Sequence, residues 1–293
     1  MNAWAGRPCY CGGVAQTKHE IQHLLAQAGS QPRHRFGQNF MIDQNLVRVV
    51  ADAGQIEAGD LVVEVGPGTG TLTEEILSRG ADVVAVEIDR DLSRLLRERF
   101  GEQAKFSLIE GDALASKHAV NAELLASIRA AKESQRAVKL VANLPYNIAS
   151  PLIIELLIAG VDLLAFTVQK EVADRVRAAA GAEAYGVLSV MCQLLAEVEV
   201  LRTLPPQAFW PAPKIDSSLV RLVRKDELGA RATEFGRFVQ KLFSFRRKTL
   251  RKALVEMEID APRVLAASGF DPQGRPEVFS PAELLRLFEA AAF

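Results

Sequence analysis

The sequence predicts an α/β protein: an open, mostly parallel sheet whose last strand is antiparallel, followed by a small all-α C-terminal domain. Three observations carry this. Short, almost wholly apolar runs recur at 61–65, 83–86, 106–109, 138–142 and 161–168, with room for a helix between most of them. Parallel strands covered on both faces lose polar alternation, so such runs mark buried strands. Two later runs, 197–203 and 218–223, flank a proline-rich loop and predict a final antiparallel pair. Beyond Arg224 the apolar spacing becomes helical throughout, at 235–245, 248–257, 261–267 and 281–291. The chain therefore divides into a disordered extension over 1–17, an α/β domain over 18–224 and a helical domain over 225–293.

Composition narrows the function classes. With 293 residues, 49% of them hydrophobic and a mean hydropathy of +0.08, the chain can build an ample core. It has no run of eighteen apolar residues to span a membrane and no apolar leader near its start. Three cysteines, Cys9, Cys11 and Cys192, form no C-x-x-C pair, which argues against a zinc site or a disulfide framework. A cytoplasmic monomer without a metal is expected, with Cys192 a small buried hydrophobe. The net charge of −1 hides an asymmetry: residues 1–40 carry four Lys/Arg against one acid, 41–204 carry 16 against 24, and 205–293 carry 15 against 11. Two basic ends around an acidic middle permit a nucleic-acid partner that the overall charge would not suggest.

Taken in order, a short helix is expected over 18–28. Residues 31–40 form a basic arm in which Phe36 and Phe40 need something to pack against. Asp43 caps a helix that ends at Gly54. Strand 61–65 runs directly into Gly66-Pro67-Gly68-Thr69-Gly70, and Thr71-x-x-Glu74 has the form of a capping box. Strand, glycine turn and helix in succession is the context of a nucleotide-type loop. The spacing is not that of a dinucleotide fingerprint, and no Gly-Lys-Ser/Thr marks a P-loop. Glu64, just before the turn, would repel a phosphate, so a cationic or zwitterionic ligand fits better. Glu87 ends the second strand, 21 positions after Gly66. That is close to the spacing at which a carboxylate binds ribose hydroxyls. Asp89 or Asp91 then caps the next helix, and Asp112 follows the third strand, placed to accept from an adenine amine.

Asn143-Leu144-Pro145-Tyr146 closes the fourth strand. Pro145 disfavours the α conformation at Leu144 and keeps the turn open. The Asn143 amide oxygen and the carbonyls of Leu144 and Pro145 are acceptors, and Tyr146 offers a flat ring. Two acceptors beside a stacking face suit the exocyclic amine of a planar base. A plain strand-to-helix turn is the alternative, because Ser150-Pro151 can start a helix as N-cap and first residue. Near the C-terminus, Arg246, Arg247, Lys248, Arg251 and Lys252 place five cations in seven positions without an acid. On a helix, 247, 248, 251 and 252 would share one face, either an ordinary solvated face or one that binds phosphates, while Leu250 and Leu254 turn to the core.

These motifs carry a resemblance. Gly37-Gln38-Asn39-Phe40, Glu64-Val65-Gly66-Pro67-Gly68-Thr69-Gly70, Glu110-Gly111-Asp112-Ala113 and Asn143-Leu144-Pro145-Tyr146-Asn147 resemble, in order, those of the S-adenosylmethionine-dependent rRNA adenine N6-dimethyltransferases. Gln169-Lys170-Glu171-Val172-Ala173, Ala184-Tyr185-Gly186-Val187-Leu188-Ser189-Val190, Phe209-x-Pro211-x-Pro213-Lys214-Ile215-Asp216-Ser217 and Arg246-Arg247-Lys248-Thr249 look like the small-subunit, KsgA-type branch. The likeness runs from about residue 18 to the end, and Trp210-Pro211-Ala212-Pro213 departs from the family's usual run of prolines.

The resemblance implies a Rossmann-like class I methyltransferase sheet and S-adenosylmethionine as cofactor, released as S-adenosylhomocysteine. It implies two adjacent adenosines in a hairpin loop near the 3′ end of small-subunit (16S) rRNA as substrate, free or in an immature subunit, and a part in ribosome biogenesis. It implies that Asn39 and Met41 join Glu64, Gly66, Gly68, Gly70, Glu87, Asp112 and Asn143 around the cofactor. Tyr146 and Phe209 would sandwich the target base at Asn143, Leu144 and Pro145. A large-subunit or DNA adenine methyltransferase would share the core but not the C-terminal motifs. A non-catalytic assembly factor of the same lineage would not need Glu87, Asp112 and Asn143.

Overall fold

The computed structural model describes residues 16–33, 36–116, 119–225 and 228–292. Residues 1–15 of the expected extension, and His34-Arg35 of the arm, lie outside them. Gln16 and Thr17 do not: Thr17 caps the first helix, α1 (Lys18–Gln27), in a capping box with Glu20. The arm then enters a two-residue strand, β1 (Phe40–Met41), and α2 (Gln44–Ala53) starts from the Asp43 side chain, as expected.

Alternating elements follow: β2 (Leu61–Val65), α3 (Thr71–Ser78), β3 (Asp82–Glu87), α4 (Arg90–Phe100) and β4 (Phe106–Glu110). A small hairpin of β5 (Leu114–Ser116) and β6 (Ala119–Val120) precedes α5 (Ala122–Glu133), β7 (Val138–Asn143), α6 (Ala149–Ile158) and β8 (Leu163–Gln169). Then come α7 (Lys170–Arg177), α8 (Val187–Leu195), β9 (Ala196–Leu204), the short β10 (Phe209–Trp210) and β11 (Ser217–Arg224). The large sheet runs β4-β3-β2-β7-β8-β11-β9, parallel through its first five strands, with β11 antiparallel to both neighbours. The order reverses between β2 and β7, and a crevice opens beyond the carboxyl ends of strands at such a reversal. Glu64 and the glycine turn leave β2 at this edge, and Asn143 leaves β7.

Two helix starts differ from expectation. Gly70, with φ of +83°, is the N-cap of α3, so Thr71 is already helical and no capping box forms. A left-handed glycine turns the chain there without any side-chain cap. Helix α6 begins after Ile148, which puts Ser150 and Pro151 inside its first turn, where a missing N–H costs no helical bond.

Alternation along the strands divides the core. One face of the sheet, with Val62, Ala85, Val141 and Ala165, packs on α2 and α3 through Val47, Val50, Leu72 and Ile76. The other face, with Val63, Val86, Leu140 and Phe166, packs on α5, α6 and α8. Lys139 interrupts β7 yet is buried, because its ammonium reaches Asp60 at 2.7 Å and the Gln55 carbonyl. Cys192 is buried in the core.

The C-terminal helices are α9 (Ala232–Ser244), α10 (Leu250–Glu256), α11 (Ala261–Ser268) and α12 (Pro281–Ala292). They continue the same core: Phe235, Val239, Leu242 and Leu284 belong to one apolar cluster with Leu152, Val190 and Met191. Tyr185, almost fully buried, donates to the Phe279 carbonyl at 2.8 Å across this seam. Among the described residues no helix is long and apolar enough to cross a membrane, and no group of side chains is arranged to hold a metal.

Candidate active site

The crevice at the switch point is lined by the glycine turn, by Glu64 and Glu87 at the ends of β2 and β3, by Asp112 after β4 and by Asn143 and Pro145 after β7. Asn39, Phe40 and Met41 of the arm complete it. Gly66 sits at φ +72°, and a Cβ there would lie 3.1 Å from the Pro145 ring; at Gly68 it would lie 2.9 Å from the Phe40 ring. The two walls of the cleft thus approach each other across glycines, where side chains would not fit.

Glu87 and Glu64 are nearly fully buried. Glu87 takes the Gly68 N–H at 3.2 Å on one oxygen and the Asp89 N–H at 2.9 Å on the other, which fixes the turn relative to β3. Burial pushes its carboxyl from 4.5 up to about 7 against those two hydrogen bonds. Glu64 accepts from the Thr73 hydroxyl at 2.6 Å, and burial, with the neighbouring Glu87 charge, raises it to about 8. Asp112 is exposed at the rim and uses one oxygen to cap the Leu114 N–H at 3.0 Å. No lysine or arginine lines the cleft among the described residues. Three carboxyl groups and no cation suit a cationic or zwitterionic ligand and disfavour a phosphate.

The arm is tied down on both sides of this cleft. Arg33 bridges Asp89 at 2.7 Å and Asp91 at 2.5 Å, and Gln38 donates to Asp89 at 3.1 Å. On the other side β1 pairs with β10, placing Phe40 opposite Trp210 and Met41 opposite Phe209. The Asn39 carbonyl accepts from Asn143 Nδ2 at 2.6 Å.

Asn143 is held at both ends. Its Oδ1 accepts from the hydroxyl of Thr167, the residue beside it on β8. The Tyr146 hydroxyl lies 3.0 Å from that of Ser217 at the start of β11, and burial raises the phenol above its usual range. The Pro145 carbonyl accepts from Ile148 N–H at 3.3 Å, which leaves the Leu144 carbonyl as the better backbone acceptor at the edge. Thr167 lies inside the apolar run 161–168 and Ser217 enters the sequence reading only as the last residue of a motif; the strand register reveals what they touch.

A family model described as ribosomal RNA adenine dimethylase matches residues 29–292. The chain belongs to the ribosomal RNA adenine dimethylase family. Similar to it is the ribosomal RNA small subunit methyltransferase A of Magnetococcus marinus, at 41% identity over 91% of this chain and 94% of that protein. The protein of the same description from Hahella chejuensis is 40% identical over 88% of this chain and 92% of its own length. Among solved structures, a dimethyladenosine transferase from Plasmodium falciparum superposes with a TM-score of 0.65 at 23% identity, covering 85% of this chain and 95% of that one. The 23S rRNA methyltransferase ErmE gives 0.60 at 24% identity, over 87% and 100%. At these identities the two structures speak for the shared class I methyltransferase fold.

Two readings of this dimethylase chain need correction. Phe209 is not displayed by its loop: the residue is 2% exposed, packed in the core with Met41, Leu204 and Leu219, and β10 is paired with β1. Trp210 beside it is half-buried against Phe40, with ring centroids 6.4 Å apart. The basic cluster is not one helix face either. Arg246, Arg247 and Lys248 lie in a turn, and α10 starts only after Thr249, whose hydroxyl caps it. Arg246 pairs with Glu277 at 3.0 Å, and Lys248 pairs with Glu256. Arg247, Arg251 and Lys252 are exposed, with no ion pair among the described residues.

Proposed function

We propose that this chain transfers methyl groups from S-adenosylmethionine to N6 of adenosines in small-subunit rRNA, giving N6,N6-dimethyladenosine and S-adenosylhomocysteine. The substrate is the pair of adjacent adenosines in the hairpin loop near the 3′ end, in the rRNA itself or in an immature small subunit, and the enzyme acts as a cytoplasmic monomer. The observation that carries this reading is the Asn143-Leu144-Pro145-Tyr146 edge facing a carboxyl-lined cleft across the switch point.

The cleft suits S-adenosylmethionine, whose amino and sulfonium charges match its acidic lining. Glu87 would hold the ribose hydroxyls, Asp112 the adenine amine, and the turn from Gly66 to Gly70 the methionine end above Glu64. Asn39 and Met41 would close over it from the arm. Bound there, the cofactor supplies an electrophilic methyl group. A target adenine must leave its stack, and a hairpin loop lowers that cost. Tyr146 would take one face of the base. The N6 lone pair is delocalised into the ring and is a weak nucleophile. The free lone pair of Asn143 Oδ1 and the Leu144 carbonyl would accept the N6 hydrogens, favour a tetrahedral nitrogen and aim it at the methyl group. Positioning and electrostatics supply the rate, and no strong base is required, because an N-methylated adenine ammonium is acidic. Arg247, Arg251 and Lys252, with Arg246 and Lys248, would engage rRNA phosphates.

Methyl transfer from labelled S-adenosylmethionine to unmodified small-subunit RNA tests the reading. Wild-type protein should place label in N6,N6-dimethyladenosine, and Asn143→Ala should lower kcat by roughly 10²–10³-fold with little change in cofactor affinity. Near wild-type turnover by the variant would reduce Asn143 to a turn-shaping residue.

A further inference from the structure

Asn143 Oδ1 already has one partner before any substrate arrives, and that partner has a consequence for dimethylation. Thr167 is fully buried on β8, in register with Asn143 on β7, and its hydroxyl donates to Asn143 Oδ1. The amide cannot be turned over in this setting. The Asn39 carbonyl on its other side can only accept, so it requires the Nδ2 end, 2.6 Å away. Oδ1 therefore faces Thr167, with one lone pair engaged and one available to the cleft.

Two methyl groups on one nitrogen pose a hydrogen-bond problem. Unmodified adenine offers two N6 hydrogens, one for Asn143 Oδ1 and one for the Leu144 carbonyl. N6-methyladenine offers one. In the second transfer one of the two acceptors loses its donor, and a partly buried acceptor left without any donor is costly. We propose that Thr167 is a positioning residue for the second methylation: it keeps Asn143 Oδ1 satisfied, with its orientation fixed, when the N6 hydrogen facing it has become a methyl group. The inference rests on the proposed adenine N6 dimethylation. It concerns how this site tolerates its own half-finished product.

Thr167→Val removes the hydroxyl and keeps the β-branched volume in the strand; Thr167→Ser keeps the hydroxyl and removes the methyl. The assay follows N6-methyladenosine and N6,N6-dimethyladenosine over time in small-subunit RNA treated with S-adenosylmethionine. For Thr167→Val the second transfer should slow about tenfold more than the first, near 1.4 kcal/mol, so that the monomethylated base accumulates. Thr167→Ser should restore the wild-type ratio. A purely packing role would instead slow both transfers together and would track side-chain volume. An unchanged ratio in Thr167→Val overturns the proposal, and so does an equal defect in Thr167→Ser. Should valine fail to fold there, Thr167→Ala against Thr167→Ser makes the same comparison. If wild-type protein makes neither base, the adenine reading itself fails; if it makes both and the ratio never moves, only the role of Thr167 fails.

Discussion

Replacing Glu87 by Gln changes one atom type in the most constrained side chain of the cleft. The carboxylate accepts the Gly68 N–H on one oxygen and the Asp89 N–H on the other, at 3.2 and 2.9 Å. Glutamine has one oxygen, so its amide nitrogen must confront one of these donors. That orphaned N–H costs roughly 1–3 kcal/mol and weakens the turn with or without ligand. Affinity suffers separately, because the ribose hydroxyls lose a charged acceptor. A hydrogen bond to a charged group contributes about 1.5–3 kcal/mol, so Kd for S-adenosylhomocysteine should rise about ten- to 150-fold. Calorimetric titration measures this without turnover, and it should be run near pH 8. The Glu87 carboxyl is raised from 4.5 to about 7 by burial, so it is largely ionised only above neutrality. Wild-type affinity should therefore climb between pH 6 and 8, and Glu87→Gln should lose most of that climb. A Kd within twofold of wild type, with an unchanged pH profile, would refute the role assigned to Glu87.

The same burial makes a stability prediction. Glu64, at about 8, and Glu87, at about 7, bind protons in the folded state that the unfolded chain has released above 4.5. Their contribution is thus fully present below pH 4.5 and lost as pH rises through 7 to 8; thermal melts of Glu64→Gln should show a shallower decline over that window. Arg33→Ala unties the arm from Asp89 and Asp91; with Arg33 partly exposed, the effect should be roughly 1 kcal/mol or less. It should appear as faster S-adenosylhomocysteine release in stopped flow and as easier proteolysis of the arm. Arg247→Ala combined with Lys252→Ala should flatten the plot of log RNA affinity against log salt by about 1.4–1.8. Melting temperature and cofactor binding should not move, since neither side chain has a folded-state ion partner among the described residues.

Where structure depends on neighbours in sequence, it was legible. The Asp43 cap, the strand runs and the glycine turn are local events, and the side chains that decide them are adjacent in the chain; of the two caps offered for α4, Asp89 and Asp91, the structure uses Asp89. The gathering of Glu64, Glu87, Asp112 and Asn143 could also be read, because parallel strands with helical crossovers put all their carboxyl ends on one edge. Misreadings arose where a backbone state or a distant strand decides. Gly70 in the left-handed region displaced Thr71 from the cap, and Thr249 took the cap that would have let Lys248 join a helix face. Phe209 is covered because its partner strand comes from the N-terminal arm, and no local pattern announces that pairing. Thr167 and Ser217 carry hydroxyls into the site through sheet register alone.

The central claim is that the Asn143–Tyr146 edge presents N6 of rRNA adenines to a methyl donor. The most direct measurement is mass-spectrometric mapping of small-subunit rRNA from cells with the protein, without it, and with only the Asn143→Ala form. The account predicts N6,N6-dimethyladenosine at two adjacent positions in the 3′-terminal hairpin loop when the wild-type protein is present, unmodified adenosines there without it, and a sharply reduced mark with the Asn143→Ala form. Dimethylation that persists without the protein, or a missing mark on large-subunit rRNA or on another base, would contradict it.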